Sequence, residues 1–354
     1  VSTPLPTLTP ADVAEIMPGV DIIADATTLT RDEWLDGRRA GLGGSDLAAI
    51  LNISRWATPY KLWLEKTGRA EADDSGSTLA QRRGQALEPW ILAEVQDQTP
   101  QLTVYRAPYQ LRHNLYPELL ANVDGLATDT RRSGWGGVEA KRSSPWVRAQ
   151  WADGPPAYYE AQVQHYLAST GLDWWMVAAD LETDQIETWV IERDEAMIET
   201  IQAIERAWWQ RHVIDDVEPE VDASEITTQA LTVVADPGAA VVVDEDDLAE
   251  IFTDLARART DAAKAKADED LAKNQIRQLM AEHTELLGDD GTKWATWRSG
   301  KPKSSTDWAS VAGRLALAIG DPDTVTRLVE ANTTTKPGTR TLRVDAGLKQ
   351  IQES

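Results

Sequence analysis

The chain has 354 residues, a formal charge of −23 and no cysteine. A hydrophobic fraction of 42% is enough to build cores and argues against a disordered chain, and the missing thiols exclude disulfides, thiolate zinc sites, iron–sulfur clusters and cysteine nucleophiles. No apolar run approaches the roughly 20 residues of a membrane span, and VSTPLPTLTP is not a signal peptide, so a soluble cytoplasmic protein is expected. The acidic balance argues at first sight against a nucleic-acid partner.

Residues 1–30 are rich in Pro and Thr and read as a loosely attached arm. Residues 31–214 read as one globular domain. Helices are predicted at 45–51, 58–66, 79–98, 156–170 and 194–212. Strands are predicted at 103–111, 119–127, 136–142, 173–180 and 185–192, with a hairpin around Ser133-Gly134. This order gives an α/β or α+β fold, a mixed sheet flanked by helices. Residues 215–243 alternate acids, Pro and Gly and read as a linker. From 244 to 287 one long helix is predicted, with Leu248, Ile251, Leu255, Ala258, Ala262 and Ala265 at three- and four-residue steps. The end, 293–354, offers strand candidates KWATWR and TRTLRV around a helix near Trp308–Ile319.

Asp124 ends an apolar run (LLANVD) just before Gly125, a position that suits a turn as well as a site. Glu139 and Lys141 stand two apart, so on a strand they share a face. By itself such a pair is ordinary surface chemistry. A hairpin between 124 and 139 would join the three residues. Two carboxylates and a backbone carbonyl form an oxygen site suited to Mg²⁺, and a lysine can orient or deprotonate a water there. Glu88 follows Gly84 by one helical turn and could project toward the same place. Gln162 lies on a helix after the Glu-x-Lys strand. Gly41, Gly43 and Gly44 precede Ser45-Asp46 at a helix start, a geometry suited to anions, with Arg38 seven residues before Ser45. No Gly-Lys-Ser/Thr follows, so this is not a nucleoside-triphosphate loop.

In this order, WLDGRRAGLGGSDLAAIL (34–51), TPYKLWLEKTGR (58–69), RRGQALEPWI (82–91), NVDG (122–125), VEAKRSSP (138–145) and YYEAQVQHYLASTG (158–171) resemble the YqaJ-type viral recombinase family. These are phage alkaline exonucleases related to lambda exonuclease, within the PD-(D/E)xK nuclease superfamily. The resemblance covers about 31–212 and fades beyond. It implies a central mixed sheet with helices on both faces and Mg²⁺-dependent digestion of duplex DNA from the 5′ end, with Mn²⁺ as an alternative ion. It implies Asp124, Glu139 and the Ala140 carbonyl as ligands of one or two ions, Lys141 as catalytic lysine, Glu88 as the helix carboxylate, in part through water, and Gln162 as the helix glutamine. Arg38 and Ser45 resemble the pocket for a 5′-terminal phosphate. The implied partners are double-stranded DNA, a single-strand annealing protein and further copies of the chain, since some relatives form toroidal trimers.

The charge divides as −16 over 1–220 and −7 over 221–354, yet 131–148 carries Arg131, Arg132, Lys141, Arg142 and Arg148 against Glu139 alone. That stretch is expected to line DNA at the site, although surface ion pairs would account for the same arginines. Trp135, Trp146 and Trp151 are candidates for stacking on unpaired bases. Two other functions stay open at this point: a related endonuclease or structure-specific nuclease, and a non-catalytic DNA-binding or assembly protein. The role of 244–354 is not given by the resemblance.

Overall fold

The computed structural model describes residues 4–69, 79–234, 243 and 245–297, with scattered positions between 308 and 327. The chain divides into two compact units, Val1–Asp236 and Pro237–Ser354. In chain order the first unit contains α1 (Pro10–Ile16), β1 (Val20–Asp25), α2 (Arg31–Arg39), α3 (Gly44–Ile50), α4 (Pro59–Lys66) and α5 (Leu79–Gln98). Then come β2 (Leu102–Tyr105), β3 (Tyr109–His113), β4 (Leu120–Asn122), β5 (Gly125–Asp129) and β6 (Trp135–Arg142). A 3-10 turn at Pro145–Trp151 leads to α6 (Ala157–Thr170), β7 (Trp174–Asp180), β8 (Glu187–Glu192), α7 (Glu195–Trp208) and α8 (Glu225–Val234).

The main sheet has the order β2-β5-β6-β7-β8. All its pairs are antiparallel except β6–β7, which α6 joins as a parallel crossover. It is thus the mixed sheet flanked by helices that the sequence predicts. Against one face α5 packs Ile91, Leu92 and Val95 on Val104, Ala127, Val138 and Met176. Against the other, α6 packs Val163, Tyr166 and Leu167 on Leu126, Trp175, Val177 and Ala179. Two glycines in β6 make room for two tryptophans of β7. A Cβ on Gly136 would meet the Trp174 ring at 2.2 Å, and one on Gly137 the Trp175 ring at 2.3 Å.

Two predicted strands are each broken in two. The run 103–111 divides around Pro108, which has no N–H for a ladder, into β2 of the main sheet and β3 of a small antiparallel sheet, β1-β3-β4. The run 119–127 divides at Val123-Asp124 into β4 of the small sheet and β5 of the main one. Asp124 therefore stands where the chain leaves one sheet for the other.

Residues 4–30 are not a loose arm. Val13 and Met17 are buried in the main core, β1 pairs with β3, and the Tyr109 hydroxyl donates to the Leu8 carbonyl at 2.9 Å. The Pro and Thr that suggested an arm are helix-start chemistry. Thr9 and Thr30 close capping boxes with Asp12 and Glu33, and Pro10 opens α1. The stretch expected as a linker, 215–243, contains α8. There the buried hydroxyls of Thr227 and Thr58 lie 2.9 Å apart, and Ala230 joins a cluster with Leu62, Trp63 and Trp208.

In the second unit, α9 (Glu245–Met280) is followed by an antiparallel hairpin of β9 (Glu285–Leu287) and β10 (Lys293–Thr296). The strand predicted at KWATWR is β10. TRTLRV lies outside the described residues, as does most of the predicted helix 308–319. No helix among the described residues is long and apolar enough to cross a membrane.

Candidate active site

Strand alternation sorts β6 into two sets. Val138 and Ala140 belong to the core on the α5 side. Glu139 and Lys141 point the other way, toward α6. The β5–β6 ladder ends at Gly125 opposite Val138, and just past that point Ala140 N–H donates to Asp124 Oδ2 at 2.9 Å. N–H and C=O of one strand residue face the same side, so the Ala140 carbonyl is also directed toward Asp124.

Glu139 is 2% exposed. Its Oε1 accepts from Lys141 Nζ at 2.5 Å and from Gln162 Nε2 at 2.7 Å. Gln162 closes the triangle: its Oε1 accepts from Lys141 Nζ at 3.1 Å, and its Nε2 also donates to the Tyr166 hydroxyl at 3.0 Å. The Lys141 ammonium lies 4.8 Å from the centre of the Tyr159 ring. Glu139 Oε2 is buried and has no hydrogen-bond partner.

Crowding of acids shapes the electrostatics. Burial, then the charges of Glu139 and Glu88, push Asp124 well above the usual carboxylate range, against the opposing pull of Lys141 and the Ala140 N–H. Burial and Glu139 likewise raise Glu88, with Arg106 and Lys141 opposing. Burial disfavours the Lys141 charge, but Glu139 and Asp124 outweigh it and raise its affinity for the proton. Glu88 and Asp124 line one cavity of about 320 Å³ with Arg106, Asn122 and Trp34.

Among the described residues, no three acidic or histidine side chains already form a metal cage. The donors present do fit a hard divalent cation. Two carboxylates and a carbonyl offer oxygen, one buried carboxylate oxygen lacks a partner, and mutual repulsion of the acids would be relieved by positive charge. Mg²⁺ keeps several waters, so few protein ligands suffice.

The glycine-rich turn brings Arg38 and Ser45, the expected anion pocket, beside this network. A Cβ on Gly44 would meet the Tyr166 ring at 2.8 Å and Gln162 Cγ at 2.9 Å, so only glycine lets α3 start against α6 here. Arg38 donates to Ser45 Oγ at 3.3 Å and to Asp46 Oδ1 at 3.3 Å, with its guanidinium 5.2 Å from the Trp34 ring centre. Sequence reasoning missed what holds this turn. Buried Lys66 donates to Asp46 Oδ2, to the Arg38 carbonyl and to the Gly41 carbonyl, each at 2.7 Å. Asp46 Oδ2 also accepts from Gly43 N–H at 2.9 Å. A lysine at the end of an apolar helix gives no sign of this in the sequence. Arg106 and Tyr159 were missed as well.

The basic run 131–148 does not gather at the site. Arg131 and Arg132 follow the end of β5, beyond Thr128 paired with Trp135. From there to Lys141 is six residues, about 20 Å of strand. Arg131 chelates Asp129, and Arg132 pairs with Glu192 while lying over the Trp174 ring. Arg142 alternates away from Lys141 and pairs with Glu182. Arg148 is exposed, with no ion pair among the described residues. Of the tryptophans, Trp151 is buried against Tyr159 and Trp189, Trp135 packs on Tyr105, and Trp146 is exposed.

Residues 33–173 match the family model of the YqaJ-like viral recombinase domain. The uncharacterized protein YqaJ of Bacillus subtilis (strain 168) is 33% identical over 214 residues, which cover 60% of this chain and 65% of that protein. Among solved structures, LHK-Exo in complex with dAMP is 24% identical over 52% of this chain and 93% of its own, with a TM-score of 0.44. The alkaline exonuclease LHK-Exo from Laribacter hongkongensis is 23% identical over the same shares, with a TM-score of 0.43. The chain thus spans 65% of the length of the curated relative from Bacillus subtilis.

Proposed function

We propose that the chain is a metal-dependent deoxyribonuclease that digests linear duplex DNA from the 5′ end and leaves 3′ single strands for phage-type recombination. The observation that carries this reading is the joining of Asp124, Glu139 and Lys141 at the end of one hairpin, with Gln162 locking the last two. The match of residues 33–173 to the YqaJ-like viral recombinase domain supports the class of reaction.

Asp124, Glu139 and the Ala140 carbonyl would hold Mg²⁺, or Mn²⁺ in its place, with Glu88 joining through water. When bound, one or two such ions supply a hydroxide nucleophile near neutral pH and screen the phosphate. Lys141 keeps its proton and directs it toward the reacting phosphate or the attacking water. Gln162 fixes Glu139 and Lys141 relative to each other. Arg38 and Ser45 bind the terminal phosphate, and Trp34 backs the guanidinium. The catalytic function is assigned to residues up to about 214. DNA is the substrate, and an annealing protein would take the 3′ strand.

The test uses 5′-phosphorylated linear duplex and closed circular duplex with Mg²⁺. The linear form should be digested from the 5′ end, and Asp124→Ala and Lys141→Ala should abolish this. Full digestion by either variant would overturn the site. Cleavage of the closed circle would make the protein an endonuclease. No cleavage, together with no Mg²⁺ uptake in calorimetry, would make it a non-catalytic binding or assembly protein.

A further inference from the structure

Helix α9 spans 36 residues, and every residue from Arg257 to Leu279 is exposed. Its sequence repeats every seven residues. One row is Leu248, Leu255, Ala262, Glu269 and Ile276. A second row, three residues on, is Ile251, Ala258, Ala265, Ala272 and Leu279. Apolar residues kept on a seven-residue period form a seam that stays together only when the helix supercoils around another helix. The ends of the seam face water: Ile251 is 65% exposed and Leu279 74%.

The residues flanking the seam identify the other helix. On one side stand Asp254, Asp261 and Asp268; on the other stand Arg259, Lys266 and Lys273. In a parallel, in-register pair, each flanking acid faces the partner's residue five positions on. That pairs Asp254 with Arg259, Asp261 with Lys266 and Asp268 with Lys273, and the same again from the other helix. In an antiparallel pair the acidic rows would face each other. The complement of α9 is therefore α9 itself. Within the single helix Lys266 and Lys273 lie on Glu269, the one charge in the seam, Lys266 also on Asp270, and Arg257 on Asp254. All are solvent-exposed pairs, which the cross-helix pairs would share or replace.

We propose that α9 forms a parallel, in-register coiled coil with α9 of a second copy of this chain. Small alanines at the middle of the seam let the backbones approach closely but bury little apolar area, so the flanking charges carry much of the selectivity.

The test uses the full chain in sedimentation and cross-linking. The unaltered chain should self-associate. The triple variant Asp254→Lys, Asp261→Lys, Asp268→Lys and the triple variant Arg259→Glu, Lys266→Glu, Lys273→Glu should each weaken association by more than about tenfold. An equimolar mixture of the two should restore it, with circular dichroism confirming that helix content is kept. Because the chain lacks cysteine, a single Leu279→Cys reports the seam directly. In a parallel pair the two sulfurs come within disulfide reach, about 7 Å or less between Cα atoms. Leu279→Cys should oxidise to a covalent dimer, and Asn274→Cys on the outer face should not. A chain that stays monomeric, association untouched by either charge reversal, or associated Leu279→Cys that does not cross-link would each overturn the proposal. The first of these would assign the seam to another protein or to solvent.

Discussion

The side-chain nitrogen of Gln162 lies 2.7 Å from Glu139 Oε1, so helix α6 reaches over the sheet and fixes one oxygen of a strand carboxylate. The other oxygen of Glu139 is left without a partner. In the proposed reaction Gln162 is a positioning residue for both Glu139 and Lys141, through its hydrogen bonds to each. Gln162→Ala is expected to lower turnover by about 10- to 100-fold, the usual cost of losing a group that orients a ligand. Mg²⁺ affinity measured by calorimetry should fall with it, while the folded structure persists. Unchanged metal affinity and turnover would remove this role.

Lys66 and Asp46 form a nearly inaccessible ion pair, each with about 5% of its side chain exposed. Lys66→Met leaves a buried carboxylate with only Arg38 and the Gly43 N–H. The expected loss is about 3–5 kcal/mol in urea unfolding. Removing both charges with Lys66→Met and Asp46→Leu should recover a large part of it, because no unpaired ion remains. Equal losses in the single and double variants would show that packing, not charge, governs this turn.

Gly44→Ala places a Cβ against Tyr166 and Gln162. Overpacking of this kind costs about 1–3 kcal/mol, and here the neighbour that must yield is the residue holding Glu139. Nuclease activity should therefore fall further than stability. Gly84→Ala is the control. Its Cβ meets nothing within 4 Å on helix α5, so it should stabilise by about 0.5–1 kcal/mol. A fully active Gly44→Ala enzyme would contradict the placement of α3 against α6.

His165 is buried between the Glu205 carboxylate, 2.6 Å from Nδ1, and the Leu120 carbonyl, 2.7 Å from Nε2. Burial opposes its charge, but Glu205 and the Leu120 carbonyl outweigh that and raise its pKa above the ordinary 6.5. A raised pKa in the folded state stabilises fully below about pH 6.5, and the contribution is lost as pH rises through the higher folded value. The urea midpoint should decline on the alkaline side, and Glu205→Gln should flatten that decline. A decline of the same slope in Glu205→Gln would place its origin elsewhere.

The centre of the site was legible because it rests on uninterrupted elements. Glu139 and Lys141 share a face through strand alternation, and Gln162 lies on a helix that ends at Gly171 with φ 76°. Asp124 was identifiable, but not the reason for its position. The apolar pattern runs on through Val123, and nothing local says that the strands on either side join different sheets. The ion pairs of Arg132 and Arg142 were not legible because their partners are distant in sequence: Glu192 is 60 residues from Arg132, and Glu182 is 40 from Arg142. The Lys66 clamp was hidden for the same reason, since two of its three acceptors are backbone carbonyls 25 and 28 residues away.

The parallel pairing of β6 with β7 sets the smallest piece of chain in which the site can exist. The family match stops at residue 173, one residue before β7 begins. Cut there, the strand bearing Glu139 and Lys141 would become a raw sheet edge, its ladder groups open to any passing strand. Cut at residue 33, β3 would lose β1 in the same way. The matched segment and the foldable body are thus different lengths of the same chain, and the candidate site needs the longer one.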